Sequence, residues 1–403
     1  MRGMLWGERV TRRRALVGLL VAFAIADAAL AYVVIQPDAR AAVPVAQPLH
    51  PVIGDFRPDG TRLTDCTDQG CFQQAFGNIA YREGPQAALE LVDDVYGNGA
   101  DPACHRVVHL IGAASLARFG GNVTRTLAAG SPSCWSGYYH GVLERSLVKA
   151  KSRDPVGLAA VSRGLCSDAH MTPWVVYGCL HGLGHGLMIA TGLNLPVSLD
   201  VCARLDRWWD RDACRGGAFM ENISSSYGFK SRFLKDDDPV YPCNSVAYSA
   251  KRRCYQVVTS RMLPLLGDDW GRTAETCASV ERDFVRWCFQ SFGRDASSRS
   301  GRDAAKIAAL CEIAREYGGE GNCVAAAAYD ITANFTSPEK AQALCDAVHS
   351  GVRGRCYYGI GIVMARFRVT DEARVADCRA IARERAHVAE CLRGGRENLP
   401  AAS

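Results

Sequence analysis

The chain has 403 residues, of which 48% are apolar, 22% are charged and 18 are cysteine. This balance is typical of a folded, water-facing protein and excludes a disordered chain or one with many membrane spans. The formal net charge is +5, but five arginines and one glutamate before residue 15 supply +4 of it. The rest of the chain is nearly neutral, so we expect no nucleic-acid partner.

The N-terminus predicts a membrane anchor. A basic segment, residues 1–14, precedes a run of 21 apolar residues, 15–35, in which Asp27 is the only charge. A helix of that length crosses a hydrocarbon core of about 30 Å, and the positive flank keeps the N-terminus in the cytoplasm. The alternative is a cleaved signal peptide, because the run contains small-residue cleavage sites; its length favours the uncleaved anchor. Both alternatives place the cysteines in an oxidising, extracytoplasmic space, periplasmic or extracellular.

After the anchor, five prolines between residues 36 and 65 predict a semi-extended linker. Seven cysteine pairs then recur with 10 to 12 intervening residues, and we predict that each pair forms a disulfide. The predicted pairs are Cys166 with Cys179, Cys202 with Cys214, Cys243 with Cys254, Cys277 with Cys288, Cys311 with Cys323, Cys345 with Cys356, and Cys378 with Cys391.

The second members of these pairs follow one another at steps of 33 to 40 residues. A period of 34–35 residues is the length of one helix–turn–helix unit in a solenoid. It is similar to that of tetratricopeptide-type repeats in period only, because the Trp, Leu-Gly and Tyr pattern of that family is absent. Asp154-Pro155 and Ser337-Pro338 predict helix starts, each with a capping side chain before a proline.

We therefore predict an all-α fold, an αα-hairpin repeat solenoid in which each disulfide joins a short helix to a long one. N-terminal repeats occupy residues 66–226, C-terminal repeats occupy 227–396, and a tail follows at 397–403. Four cysteines remain, and three pairings are open to them. We expect Cys104 to bond Cys134 across repeats and Cys66 to bond Cys71 locally.

The histidines are concentrated in the N-terminal repeats, where six of the nine fall between residues 105 and 185. His105 and His109 are four residues apart, as are His181 and His185, so each pair lies on one face of a helix. Nine histidines placed at random give only about 0.18 such pairs. Glycines surround these histidines and indicate close approach by a helix or a ligand: Gly137, Gly141, Gly182, Gly184 and Gly186.

Glu144 follows His140 at the same spacing of four, and Glu221 occupies a similar place on the next long helix. Because successive long helices of a solenoid line one surface, these side chains are expected to meet there. The predicted metal ligands are His105, His109, His140, Glu144, His181, His185 and Glu221. We expect the residues around them to include Trp135, Tyr138, Tyr139, Met188 and Met220.

Imidazole and carboxylate ligands predict one or two transition metal ions, zinc, copper or iron. The first hypothesis is a metalloenzyme, an oxidoreductase or a hydrolase, with Glu144 and Glu221 as candidate catalytic bases. A second hypothesis is a non-enzymatic scaffold that binds a protein or peptide partner, with the histidines scattered and structural. A third is metal storage or delivery.

Overall fold

The computed structural model describes residues 56–96, 103–131, 134–148, 150, 154–166, 171–225, 230–368 and 370–398. The described residues form 19 α-helices and four short 3₁₀ turns, with no strand, so the predicted all-α class is confirmed there. The predicted anchor, most of the linker, His170 and the last five residues of the tail lie outside the described residues. Among the helices described, none is both long and apolar enough to span a bilayer.

Long and short helices alternate along most of the chain. In chain order the helices are α1 (Gln69–Arg82), α2 (Pro85–Tyr96), α3 (Ala103–Arg118), α4 (Val123–Ala128), α5 (Gly137–Val148), α6 (Pro155–Leu165), α7 (Pro173–Ala190), α8 (Leu195–Ala203), α9 (Trp208–Ile223), α10 (Tyr248–Tyr255), α11 (Thr259–Leu265), α12 (Trp270–Ser279), α13 (Val285–Arg299), α14 (Ala304–Ile313), α15 (Glu320–Phe335), α16 (Glu339–Ala347), α17 (Ser350–Phe367), α18 (Asp371–Ile381) and α19 (Arg385–Asn398). The long helices are α1, α3, α5, α7, α9, α13, α15, α17 and α19.

Polar N-caps define where several helices begin. Asp154 accepts hydrogen bonds from the backbone N–H groups of Val156 and Gly157, so α6 begins at Pro155 as predicted. The predicted start at Ser337 is wrong by one residue. There Pro338 is itself the cap residue of α16, and the Ser337 hydroxyl donates to the Glu339 side chain.

Nine disulfides join all 18 cysteines, and no free cysteine remains. Every predicted pair is confirmed. The seven that connect the two halves of one hairpin are Cys166 with Cys179, Cys202 with Cys214, Cys243 with Cys254, Cys277 with Cys288, Cys311 with Cys323, Cys345 with Cys356, and Cys378 with Cys391.

The four remaining cysteines also pair as expected. Cys66 bonds Cys71 beside the start of α1, and Cys104 bonds Cys134 between neighbouring hairpins. The Cα atoms of every pair lie 5.2 to 5.8 Å apart, within the normal range for a disulfide. A hairpin loop of this length contributes about 3 kcal/mol in the chain-entropy account of disulfide stabilisation.

One hairpin departs from the predicted layout of a short helix followed by a long one. No α-helix precedes Cys243 within residues 230–247. Asp238 instead accepts from the backbone N–H groups of Val240 and Tyr241, which organises a turn beside Pro242. The long helix that should follow is divided into α10 and α11. This pair still packs between α9 and α13 and so keeps the stack continuous.

The long helices pack side by side in chain order, α1 on α3, α3 on α5, and so on to α17 on α19. The stack curves until α7 contacts α17, where the Trp174 and Phe367 rings stack with centroids 4.3 Å apart. This curvature encloses a central cavity. At the other end, residues 56–65 of the predicted linker lie on α1, where Asn78 bonds Asp59 and Phe56 is buried.

Candidate metal centre

Four consecutive long helices carry the predicted ligands. His105 and His109 lie on α3, His140 and Glu144 on α5, His181 and His185 on α7, and Glu221 on α9. Five of these side chains are buried, while His105 and His181 are half-buried. The five imidazoles form one contiguous group, which we call the histidine cluster.

The histidine cluster consists of two overlapping groups of three. His105, His109 and His140 form the first, and His140, His181 and His185 form the second. Within each group, one nitrogen from every ring lies within 4.8 Å of the others. His140 belongs to both groups, because its ring stacks on His185 at 4.0 Å and lies 5.2 Å from His109. Each group offers three nitrogen ligands, the number that a catalytic zinc site commonly takes from protein.

A hydrogen bond and an ion-pair contact on the outer side of the first group orient two rings. His105 Nδ1 lies 2.7 Å from the Cys134 carbonyl oxygen, which only accepts, so Nδ1 carries the proton. His109 Nδ1 lies 3.1 Å from a Glu144 carboxylate oxygen. The Nε2 atoms of His105 and His109 face each other at 3.1 Å. The lone pair of His105 Nε2 is thereby directed into the cluster, as a metal ligand requires.

The second group has the same type of support. His185 Nδ1 lies 2.8 Å from a Glu221 carboxylate oxygen, and both side chains are buried. His185 Nε2 is buried and has no hydrogen-bond partner among the described residues. Carboxylates commonly hold metal-binding histidines in this way, fixing the ring and increasing its basicity.

Both glutamates lie beside a histidine of a neighbouring helix. Glu144 follows His140 on α5, and its carboxylate contacts His109 of α3. The role of the two carboxylates as metal ligands stays a prediction. The i,i+4 spacing fixes only the shared helix face, and packing of α5 on α3 decides which ring the carboxylate meets. The two compact groups that the structure forms contain histidines only.

His140 lies at the centre of the cluster and is fully buried. Neither of its ring nitrogens has a hydrogen-bond partner within the described part of the chain. Burial lowers the pKa of His140 well below its usual range, and the imidazoles of His185 and His109 lower it further. The ring is therefore neutral, with a lone pair available for a metal ion.

The other pKa values follow from burial and from neighbouring charges. Burial, followed by the influence of His109, lowers the pKa of His105 to about 3. Burial and the neighbouring His185 also lower the pKa of His181 well below its usual range. His109 differs, because the Glu144 carboxylate outweighs the effect of burial and raises its pKa. Most of the cluster is neutral and suited to bind a cation.

His181 connects the histidine cluster to the central cavity. Its Nε2 lies 3.3 Å from the Met220 sulfur, and both residues line a cavity of about 240 Å³. The Tyr177 ring stacks on His181 with centroids 5.8 Å apart. A small molecule in the cavity would therefore lie directly beside the cluster.

Glycines allow the helix backbones to approach closely. A Cβ atom at Gly141 would overlap the His109 carbonyl, and one at Gly217 would overlap the His181 carbonyl. The same contact occurs in the C-terminal half, where a Cβ atom at Gly359 would overlap the Ala325 carbonyl, and neither α17 nor α15 contains a histidine. The glycine pattern therefore reports helix packing in this protein, and it carries no separate signal for a ligand.

The surroundings of the cluster are only partly those expected. Met220 contacts an imidazole, but Met188 belongs to the hydrophobic core and the Tyr138 hydroxyl donates to the Thr126 carbonyl. Tyr139 packs against α7 at Gly178, and the Trp135 side chain lies outside the described residues.

Sequence reasoning missed other residues that line the cavity, including Arg366 and Tyr329. The sequence did contain an indication of a polar site at this position. Arg366 is the only charged residue between Cys356 and Phe367, in an otherwise apolar segment.

Comparison with known proteins identifies no relative of this chain. No family model matches it, and no curated protein or solved structure is significantly similar to it. Its function must therefore be argued from the site itself.

Proposed function

We propose that this protein binds one or two transition metal ions at the histidine cluster. The observation that carries the proposal is the convergence of His105 Nε2 and His109 Nε2 at 3.1 Å, while the Nδ1 atom of each ring is engaged on the outer side. Two imidazole nitrogens this close repel each other unless a proton or a metal ion lies between them. The neutral His140 ring beside them, with both nitrogens lacking a hydrogen-bond partner among the described residues, favours the metal ion.

The ligand chemistry favours zinc, copper or iron over magnesium or calcium, which prefer oxygen ligands. The thioether of Met220 beside His181 adds a soft sulfur atom of the kind that copper accepts. His140 belongs to both groups. As a neutral imidazole it has one lone pair and would serve an ion in one group, and it would serve two ions only as an imidazolate that has released its ring N–H proton to solvent.

We further propose that the protein is a metalloenzyme, an oxidoreductase or a hydrolase. The central cavity next to His181 supports this role, because a storage or delivery protein needs no space for a second molecule at its metal. A bound ion would polarise a substrate or exchange electrons with it. Glu144 and Glu221 then act as positioning residues for His109 and His185, since both carboxylates already engage those rings.

Elemental analysis of the full-length protein tests metal binding directly. The protein should be exported in an oxidising host and purified in detergent without any chelating resin. We expect about one or two transition metal ions per chain, and we expect His140→Ala to remove most of them. His349→Ala is the matched control, because His349 lies at the start of α17 and contacts Glu320. Native protein without stoichiometric metal would contradict the proposal.

The architecture and location are part of the same proposal. We infer that the helical hairpins form a repeat solenoid anchored by residues 15–35, with the body outside the cytoplasm. The recurring hairpin disulfides support an oxidising compartment. Protease treatment of intact cells or spheroplasts should digest or release the body, and N-terminal sequencing should find the arginines of residues 9–14 retained. A mature N-terminus within residues 26–42 would instead indicate a cleaved signal peptide.

A second candidate function is binding of a protein or peptide partner. Trp208 and Tyr248 are 55% and 68% exposed, and both line an open groove of about 1140 Å³ that also contains several arginines. Exposed aromatic and arginine side chains are typical of binding hot spots. Titration of Trp208 fluorescence with an acidic peptide tests this role, and Trp208→Ala should abolish the signal while leaving the metal content unchanged.

A further inference from the structure

The central cavity contains a buried cation that no carboxylate neutralises. Arg366 of α17 is 6% exposed and lines the cavity. Its Nη1 donates to the Tyr329 hydroxyl at 2.7 Å, and its guanidinium lies 4.3 Å above the Tyr177 ring. Its Nε is buried without a hydrogen-bond partner, and no carboxylate of the described residues lies within ion-pair distance.

The other described arginines that line the cavity lie within ion-pair distance of a carboxylate. Arg252 and Arg253 share the single carboxylate of Asp212, which leaves one positive charge in excess, and Arg294 pairs with Asp295. Arg366 is the arginine of this lining that has no carboxylate neighbour among the described residues, so it is the one with room for an anionic partner. A buried cation is strongly disfavoured unless a counter-charge completes its site.

Asp330 is the carboxylate among the described residues that line the cavity, and it has partners other than Arg366. It accepts a hydrogen bond from the Ser297 hydroxyl at 2.8 Å and lies 3.9 Å from Arg302.

The rest of the wall is largely apolar and aromatic. It includes Trp174, Val257, Ala325, Ala326 and Ile362. A volume of about 240 Å³ is somewhat below the roughly 300–1,000 Å³ of typical ligand pockets, so the occupant is a small molecule. The Tyr177 ring contacts both Arg366 and His181, at 4.3 Å from the guanidinium and 5.8 Å between ring centroids. A ligand bound at Arg366 would therefore lie near the histidine cluster.

We propose that the central cavity binds a small organic carboxylate, whose oxyanion pairs with Arg366 and the Tyr329 hydroxyl and whose apolar body extends toward His181. Guanidinium groups bind carboxylates and phosphates alike, and the apolar wall selects an organic anion over an inorganic one. This carboxylate would be the substrate of the proposed metalloenzyme, so its reaction rests on the proposed function. Binding of the anion requires no metal.

Calorimetric titration of the full-length protein in detergent tests the site, with benzoate as the probe. Benzamide is the neutral analogue of the same shape, and inorganic phosphate is the anion without an apolar body. We expect benzoate to bind the metal-free protein at least tenfold more tightly than either of the others. Arg366→Gln should weaken benzoate binding at least tenfold, and Tyr329→Phe should weaken it less.

Arg261→Gln is the matched control, because Arg261 is mostly buried but pairs with Asp236 outside the cavity. It should bind benzoate as the native protein does. Equal affinity for benzoate and benzamide, tighter binding of phosphate, or native-like binding by Arg366→Gln would each overturn the assignment. Should Arg366→Gln fail to fold, Tyr329→Phe and the benzamide comparison still decide the question. Benzoate binding in a protein that never binds metal would refute the proposed function and leave this site intact.

Discussion

His105 Nε2 and His109 Nε2 face each other at 3.1 Å across one turn of α3, and the outer nitrogen of each ring is held by a different neighbour. The Cys134 carbonyl holds His105, and the Glu144 carboxylate holds His109. These two contacts come from the segment that follows α4 and from α5. The arrangement is therefore built by tertiary packing around an i,i+4 pair, and it underlies the first prediction.

The Cys104–Cys134 disulfide should support metal binding, because it fixes the carbonyl that orients His105. We expect the double variant Cys104→Ser with Cys134→Ser to lose metal affinity about tenfold or more. The matched control is Cys378→Ser with Cys391→Ser, which removes a disulfide of the last hairpin, far along the stack. Competition with a chromophoric chelator measures both affinities. Equal losses in the two double variants would show that the effect is general destabilisation.

Glu221 should act as a positioning residue for His185. We expect Glu221→Gln to weaken metal binding by about 10- to 100-fold, because an amide holds the imidazole less firmly than a carboxylate does. Glu320→Gln is the control, since Glu320 makes the equivalent contact with His349 outside the cluster. The same chelator competition applies. Unchanged metal affinity in Glu221→Gln would show that the Glu221 carboxylate does not support metal binding.

The two groups of the histidine cluster should respond differently to single substitutions. His105→Ala removes a ligand from the first group only, and His181→Ala removes one from the second only. His140→Ala removes a ligand from both, so we expect it to lower the metal content most. Elemental analysis of the three variants, with thermal unfolding as a check on folding, measures the order. A cluster in which all three substitutions have the same effect would hold a single ion.

The close approach of α7 and α9 should depend on Gly217. A Cβ at this position overlaps the His181 carbonyl, so we expect Gly217→Ala to destabilise the protein by about 1–3 kcal/mol and to reduce metal binding. Gly164→Ala on the exposed side of α6 is the control, because a Cβ there meets no described atom within 4 Å. That change should leave stability equal or about 0.4–1 kcal/mol higher. Chemical denaturation under oxidising conditions measures both.

The buried Asp212 should make stability depend on pH. Burial acts to raise the pKa of this carboxyl, but Arg253 and Arg252 outweigh it and lower the pKa below 3.8. A carboxyl with a lower pKa in the folded state stabilises the protein above the unfolded pKa, and this contribution is lost as pH falls through the folded pKa. We therefore expect the loss of unfolding free energy in Asp212→Asn to be largest near pH 7.

That difference in unfolding free energy should shrink steadily as the pH falls below about 4. In this range the Asp212 carboxylate takes up a proton in the unfolded chain while it is still ionised in the folded protein. Denaturant titrations at several pH values measure it. Asp206→Asn is the control, because the Asp206 side chain is 77% exposed in its pair with Arg163. A difference that stays constant with pH would mean that Asp212 contributes through packing alone.

Local spacing in the sequence was sufficient for the helical class, the hairpin disulfides and the two histidine pairs. Disulfides between residues 11 to 13 apart join adjacent helices, so a cysteine pattern of that length reports their pairing directly. The start of α6 at Pro155 also follows from local chemistry, because Asp154 bonds the N–H groups two and three residues ahead.

Local spacing does not predict contacts between helices. Glu144 lies four residues after His140, yet its carboxylate also reaches His109 on the preceding long helix. The division of one long helix into α10 and α11 was not anticipated either, since the pattern of cysteine pairs continues across it.

The sequence by itself determined which residues carry the chemistry, because residue type and helical period fix the imidazoles and the helix faces on which they lie. Only the tertiary structure decided that five of these rings meet, that carboxylates from adjacent helices contact two of them, and that Arg366 and His181 line one cavity. The physical reason is the range of the contacts. Local spacing fixes the helix face of a residue, whereas the contact between α7 and α17 joins segments far apart in the chain and depends on the packing of the helices between them.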